Sequence, residues 1–86
     1  VMRMRNHEEQ FFIHDVNKQS KLMDRYFGDI VMPNGLSVLG IYRDGNIIYP
    51  MMDTKFMEGD RVMVFTNFTK EKELAKVFGR KAISES

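Results

Sequence analysis

The chain carries 86 residues, 43% hydrophobic and 29% charged, with a formal net charge of +1 and no cysteine. One domain fits that length, the charge is too small to draw nucleic acid or an anionic membrane by its field alone, and disulfide frameworks and thiolate metal sites are excluded. No apolar stretch approaches the roughly 18 residues that cross a bilayer as a helix.

In chain order, residues 1–9 run from basic to acidic with no apolar segment behind them. They read as an extension or linker rather than a signal peptide, and Val1 ahead of Met2 suggests a piece of a longer protein. Phe11 to Val16 is rich in aromatic and β-branched residues and predicts a strand. Leu22, Met23, Tyr26 and Phe27 share one helical face, so a short helix is expected over residues 20–28. Ser20 would cap its start and Gly28 would stop it in a left-handed conformation. Met32-Pro33-Asn34-Gly35 predicts a turn, because Pro fixes φ and Asn-Gly tolerates positive φ.

Leu36 to Tyr42 is apolar on both faces and predicts a buried strand. Asp44-Gly45 between two β-rich runs predicts a hairpin, since a type I′ turn needs positive φ at both central residues. Ile47-Ile48-Tyr49 forms its second strand, which Pro50 ends because it cannot donate to a ladder. Residues 51–60 connect, with Met51, Met52, Phe56 and Met57 packing inward. Asp53-Thr54 and Gly59-Asp60 make structural side-chain-to-backbone turns there. Arg61 to Asn67 alternates with the period of a strand. Thr69 caps a helix whose Leu74, Val77 and Phe78 face the core and which Gly79 stops. Residues 81–86 are expected as a flexible tail. The fold class is α+β over residues 10–80: a small, mainly antiparallel four-stranded sheet with helices packed on one face.

Few residues point to chemistry. His7 and His14 stand seven apart with no third ligand in pattern, and read as surface histidines. Asp53, Glu58 and Asp60 lack the alternating oxygen ligands of a calcium loop, because Lys55, Phe56 and Met57 occupy those places. Gly35 and Gly40 lack the Lys-Ser/Thr ending of a phosphate loop. No serine has a histidine or acid at a suggestive spacing. Neither a metal site nor an enzyme is expected. Tyr42, Tyr49, Phe65 and Phe68 with Arg43 and Arg61 could stack bases, but Asp44, Asp53, Glu58 and Asp60 balance the basic residues, and direct nucleic-acid binding is not expected. The eight methionines read as core filler. A chain this short buries only roughly 60% of its unfolded surface, which favours a partner.

The punctuation between residues 29 and 65 has a recognisable order. It runs Asp29-Ile30, Pro33-Asn34-Gly35, Leu36 to Ile41, Arg43-Asp44-Gly45, Ile47 to Pro50, Asp53-Thr54, then Gly59-Asp60 before Arg61 to Phe65. This order resembles the TrkA C-terminal domain, also called the RCK C-terminal domain, and the resemblance covers residues 10–80. It implies a non-catalytic regulatory module on the cytoplasmic side of the membrane, belonging to potassium uptake systems, potassium channels or cation–proton antiporters. It also implies a homodimer whose partner is the membrane-embedded transporter portion. In some members a small ligand such as a nucleotide binds across the dimer seam, and no other cofactor is implied. Matched to those members, the pocket would use Asn34, Gly35, Leu36, Ser37 and Val38 together with Ile47, Ile48, Tyr49 and Pro50. The branch that binds cyclic di-adenosine monophosphate carries a basic residue within the stretch matching Asp29 to Gly35. Val31, Met32 and Pro33 stand there instead, which argues against that dinucleotide. The Ile-Val-Met-Pro step resembles the form found on cation–proton antiporters. A ligand-binding domain attached to a DNA-binding transcription regulator, or a nucleic-acid-associated domain, is the alternative.

Overall fold

The computed structural model describes residues 10–67, 71–79 and 83–84. Its elements are β1 (Gln10–Asp15), a single 3-10 turn (Phe27–Asp29), β2 (Leu36–Arg43), β3 (Asn46–Ile48), β4 (Arg61–Thr66), α1 (Glu71–Phe78) and β5 (Ile83–Ser84). The strands lie in the order β3-β2-β4-β1-β5, and every neighbouring pair is antiparallel. This is the expected antiparallel α+β sheet with one addition. The short β5 joins β1 through Ile13↔Ser84 and His14↔Ile83, where the sequence places only a tail.

Strand alternation decides which face is covered. Val62, Val64 and Thr66 of β4 are fully buried while Met63 and Phe65 are half-buried, the period-2 pattern of a strand with one dry face. The register places Phe12 beside Val64 and His14 beside Val62, with Leu36 and Ile41 of β2 on the same side. α1 closes this face with Leu74 and Phe78, joined by Val16, Leu22 and Phe56 from the loops. The rings of Phe12 and Phe78 meet edge to face at 5.7 Å. Thr69, expected to cap α1, lies outside the described residues, as does His7. At the other end Gly79 takes φ +100° and donates its N–H to Ala75 O at 2.8 Å, the left-handed close of a helix.

The hairpin between β2 and β3 has Asp44 at φ 51° and Gly45 at φ 83°, the two positive angles of a type I′ turn. β2 also carries a bulge between Val38 and Gly40. Leu39 is therefore an extra residue, and the strand is less buried than its apolar run suggests: Leu39 and Tyr42 are both exposed.

Three expectations are corrected. Residues 20–28 form turns rather than a helix. Asp24 sits at φ 62°, which interrupts right-handed winding. The backbone N–H groups of Asp24, Phe27 and Gly28 bond to Phe56 O, Thr54 O and Met52 O at 3.0, 2.7 and 3.0 Å, not to carbonyls four residues back. Gly28 serves closeness: a side chain there would meet Met52 O at 2.9 Å. The apolar spacing is real, since Leu22 is buried and Met23 and Phe27 pack on the core, but a remote loop segment supplies the hydrogen bonds. Second, among the described methionines none is buried, and Met51, Met52 and Met57 are 67, 73 and 48% exposed. In that connection Phe56 alone fills the core. Third, His14 is fully buried.

Candidate functional site

β3 is short, and that shapes the expected ligand region. Its three residues pair with Ile41 to Arg43 of β2, whereas Leu36 to Val38 pair with Thr66 to Val64 of β4. The two expected groups thus occupy successive stretches of the hairpin: Ile48 lies opposite Ile41, beyond Val38 and the bulge. Leu36 is buried, Val38, Ile48 and Pro50 are half-buried, and Asn34, Gly35, Ser37, Ile47 and Tyr49 are exposed. Gly35, at φ +90°, is held by its carbonyl, which accepts Asn67 N–H at 2.8 Å. That bond ties the Asn34-Gly35 turn to the end of β4.

After Pro50 the chain leaves β2 and runs beside residues 26–28. Phe27 and Gly28 donate to Thr54 O and Met52 O, and Tyr26 bridges Lys55. Met51 N–H donates to Thr54 Oγ1 at 2.9 Å and Thr54 N–H to Met51 O at 3.0 Å, closing the turn through Asp53. Around this junction Val31, Tyr49, Met51 and Met52 are 88, 71, 67 and 73% exposed. They are large apolar side chains open to solvent, and Asn34 and Gly35 are exposed as well. Lys55 Nζ lies 5.8 Å above the Tyr26 ring, and Arg25 Nη2 donates to Asp29 O at 2.9 Å.

Two polar constellations went unnoticed in the sequence. Asp60, 1% exposed, accepts Arg43 Nε at 2.8 Å, Arg43 Nη2 at 2.7 Å and Met57 N–H at 2.9 Å. Arg43 Nη2 also donates to Lys55 O at 2.8 Å. The fork of the guanidinium therefore locks the end of β2 to the Met57–Asp60 turn, which Gly59 permits at φ +95°. Hydrogen bonding to Asp60 raises the Arg43 pKa above its ordinary value, while burial opposes the rise. An open depression of about 190 Å³ beside this pair is lined by Arg43, Asp44, Met57 and Glu58; the expected ligand residues lie elsewhere. The second constellation joins His14 Nε2 to Ser20 Oγ at 2.7 Å. Ser20 Oγ also accepts Leu22 N–H at 3.1 Å, and Phe78 packs on the imidazole at 4.7 Å between centroids. Only the Gly-Asp and Ser signals were visible beforehand; their partners stand 17 and 6 residues away. Among the described residues no group of three or more His, Asp or Glu could hold a metal ion.

These features lie on and around one antiparallel sheet, and comparison with known families places the chain. The TrkA-C domain matches residues 11–79. The chain belongs to the TrkA-C domain family. A TrkA-C domain is a regulatory domain of potassium and other cation transport proteins. No curated protein matches the chain. The matched span of this TrkA-C domain runs from β1 to the glycine that closes α1, so it holds the exposed apolar residues, the Arg43–Asp60 lock and the His14–Ser20 pair together. Among the described residues no helix is long and apolar enough to cross a membrane.

Proposed function

We propose that this TrkA-C domain is the ligand-sensing, dimerising regulatory domain of a cation transporter of the cation–proton antiporter kind, acting at the cytoplasmic side without catalysis. The observation that carries the reading is the exposure of four large apolar side chains, Val31, Tyr49, Met51 and Met52, together with that of the Asn34-Gly35 turn. Large apolar groups bordered by a few fixed polar ones are how proteins hold small organic ligands. The absence of a basic residue in the Asp29–Gly35 stretch favours an uncharged or weakly charged ligand over a dinucleotide with two phosphates. Binding would act as a coupling energy, typically about 1–3 kcal/mol, between this surface and the transporter. The antiporter assignment is supported by the Ile30-Val31-Met32-Pro33 step.

Thermal-shift screening of the chain against nucleosides, nucleotides and cyclic di-adenosine monophosphate tests the reading, with Tyr49→Ala as the paired variant. A hit that raises the melting temperature of the native chain and fails on Tyr49→Ala supports it. A hit unchanged by Tyr49→Ala would place sensing elsewhere.

A further inference from the structure

The net charge of +1 hides an uneven distribution. Residues 18–21 and 70–81 hold seven of the thirteen basic residues and two of the twelve acidic ones, whereas residues 22–60 hold three basic and six acidic. The fold sets the turn ending at Lys21 against α1. Lys21 donates its backbone N–H to Phe78 O at 3.0 Å and its Nζ to Lys76 O at 3.3 Å. Both carbonyls belong to the last turn of α1, where the helix dipole favours a cation. Lys72 and Lys76, four residues apart and exposed, share one side of α1. With Lys21 and Ala75 they line an open depression of about 370 Å³. Among the described residues no carboxylate pairs with any of the three lysines, since the two ion pairs are Arg43–Asp60 and Arg61–Asp15. Glu73 stands about 100° further round the helix than Lys72 and does not line the depression. Like charges four apart destabilise a helix, a cost that an anionic surface would offset.

We propose that Lys21, Lys72 and Lys76 dock α1 onto a membrane surface rich in anionic phospholipid. Screening makes the patch, not the net charge, the relevant quantity. At an ionic strength of about 0.1 M the Debye length is about 10 Å, whereas the shortest extent of the chain is 23 Å. A membrane touching α1 feels these three lysines and little of the far side, where Asp15 and Arg61 lie on the uncovered face of the sheet, alternating with buried His14 and Val62. Chemistry selects the occupant. Lysine ammoniums are compact point charges on flexible stems, suited to a loose array of headgroup phosphates. No aromatic ring and no arginine lines the depression, while single-stranded nucleic acid is held by stacking rings and planar phosphate recognition by arginine forks. The TrkA-C domain is also a regulatory domain of cation transport proteins, which work beside a lipid surface. At roughly fivefold each, three lysines give a preference on the order of 100-fold for an anionic over a neutral surface. In a domain tethered to a membrane protein that suffices, because the tether supplies a high effective concentration. The contact needs neither a small ligand nor a second copy of the chain.

Vesicle flotation at about 100 mM salt tests this, with phosphatidylcholine vesicles carrying roughly one-third phosphatidylserine and with phosphatidylcholine alone. Partition onto the anionic vesicles should exceed that onto the neutral ones by on the order of 100-fold. It should collapse at about 1 M salt, where the Debye length is about 3 Å. Lys72→Gln with Lys76→Gln should lose about 25-fold. Arg61→Gln, which removes a charge from the uncovered sheet face, should lose less than about twofold. All three positions are exposed, so circular dichroism should show the variants folded. Equal partition onto both kinds of vesicle, binding to neither, or an equal loss in Arg61→Gln overturns the proposal. A duplex oligonucleotide is titrated at the same salt. Tighter binding to it than to the vesicles, lost in the double lysine variant, would give the patch to nucleic acid and overturn the lipid contact. None of these failures alters the thermal-shift outcome that tests ligand sensing at Tyr49.

Discussion

Replacing Arg43 by methionine keeps the aliphatic stem and removes the fork. The Asp60 carboxylate, 1% exposed, then keeps only Met57 N–H among its three partners. Breaking a buried pair so that a charge is stranded costs about 3–5 kcal/mol. Asp60→Asn is milder. The amide still offers an acceptor to Met57, and the Arg43 side chain, 26% exposed, can rehydrate while holding Lys55 O. Loss of its charge-assisted bonds should cost about 1.5–3 kcal/mol. Because a domain of this length has a total stability of about 4–13 kcal/mol, Arg43→Met should remove a large share. Urea unfolding, with the midpoint shifted and the slope unchanged, reads these costs. The double variant should cost less than the sum of the singles, by about 1–3 kcal/mol. The folded-state pKa of Arg43 is raised, so its contribution is fully present below the ordinary arginine value and fades only above it. The cost of Arg43→Met should therefore be constant between about pH 7 and pH 9. A cost below about 1 kcal/mol, the figure for a solvated surface pair, would refute the reasoning, as would Asp60→Asn exceeding Arg43→Met.

Two glycines with positive φ should differ. Gly45→Ala meets open space and should cost about 1–2 kcal/mol from backbone strain. Gly79→Ala also drives a methyl to within 2.9 Å of Gln19 O and should cost about 3 kcal/mol by the same unfolding measurement. Ser20→Ala deprives Leu22 N–H and His14 Nε2 of their shared oxygen and should destabilise by about 1–3 kcal/mol, with faster hydrogen exchange at Leu22. Phe78→Ala should cost about 3–5 kcal/mol, since it empties the contact among Phe12, His14 and α1. Val31→Glu, at a residue 88% exposed, should shift stability by less than about 0.5 kcal/mol.

What the sequence determined by itself are the features whose causes lie within a few residues. Asp44-Gly45 encodes its own hairpin through positive φ, β4 its buried face through alternation, and Gly79 the end of α1. The ordered punctuation from Asp29 to Phe65 likewise carried the family. Only the tertiary structure decided the rest. Residues 20–28 show helical spacing but fold as turns, because their backbone donors find Met52, Thr54 and Phe56 across the chain. His14 reads as a surface histidine and is buried because Ser20 and Phe78 enclose it. The Met51 and Met52 side chains, expected inside, are 67 and 73% exposed, because that segment is held against residues 26–28 through its backbone carbonyls. Local patterning records which residues are apolar and how they are spaced, but a hydrogen bond to a distant carbonyl leaves no periodic trace. Which residues share the uncovered face is likewise a property of the assembled sheet: Phe11 meets Phe65, and Tyr42 meets Ile47, only after the strands have paired.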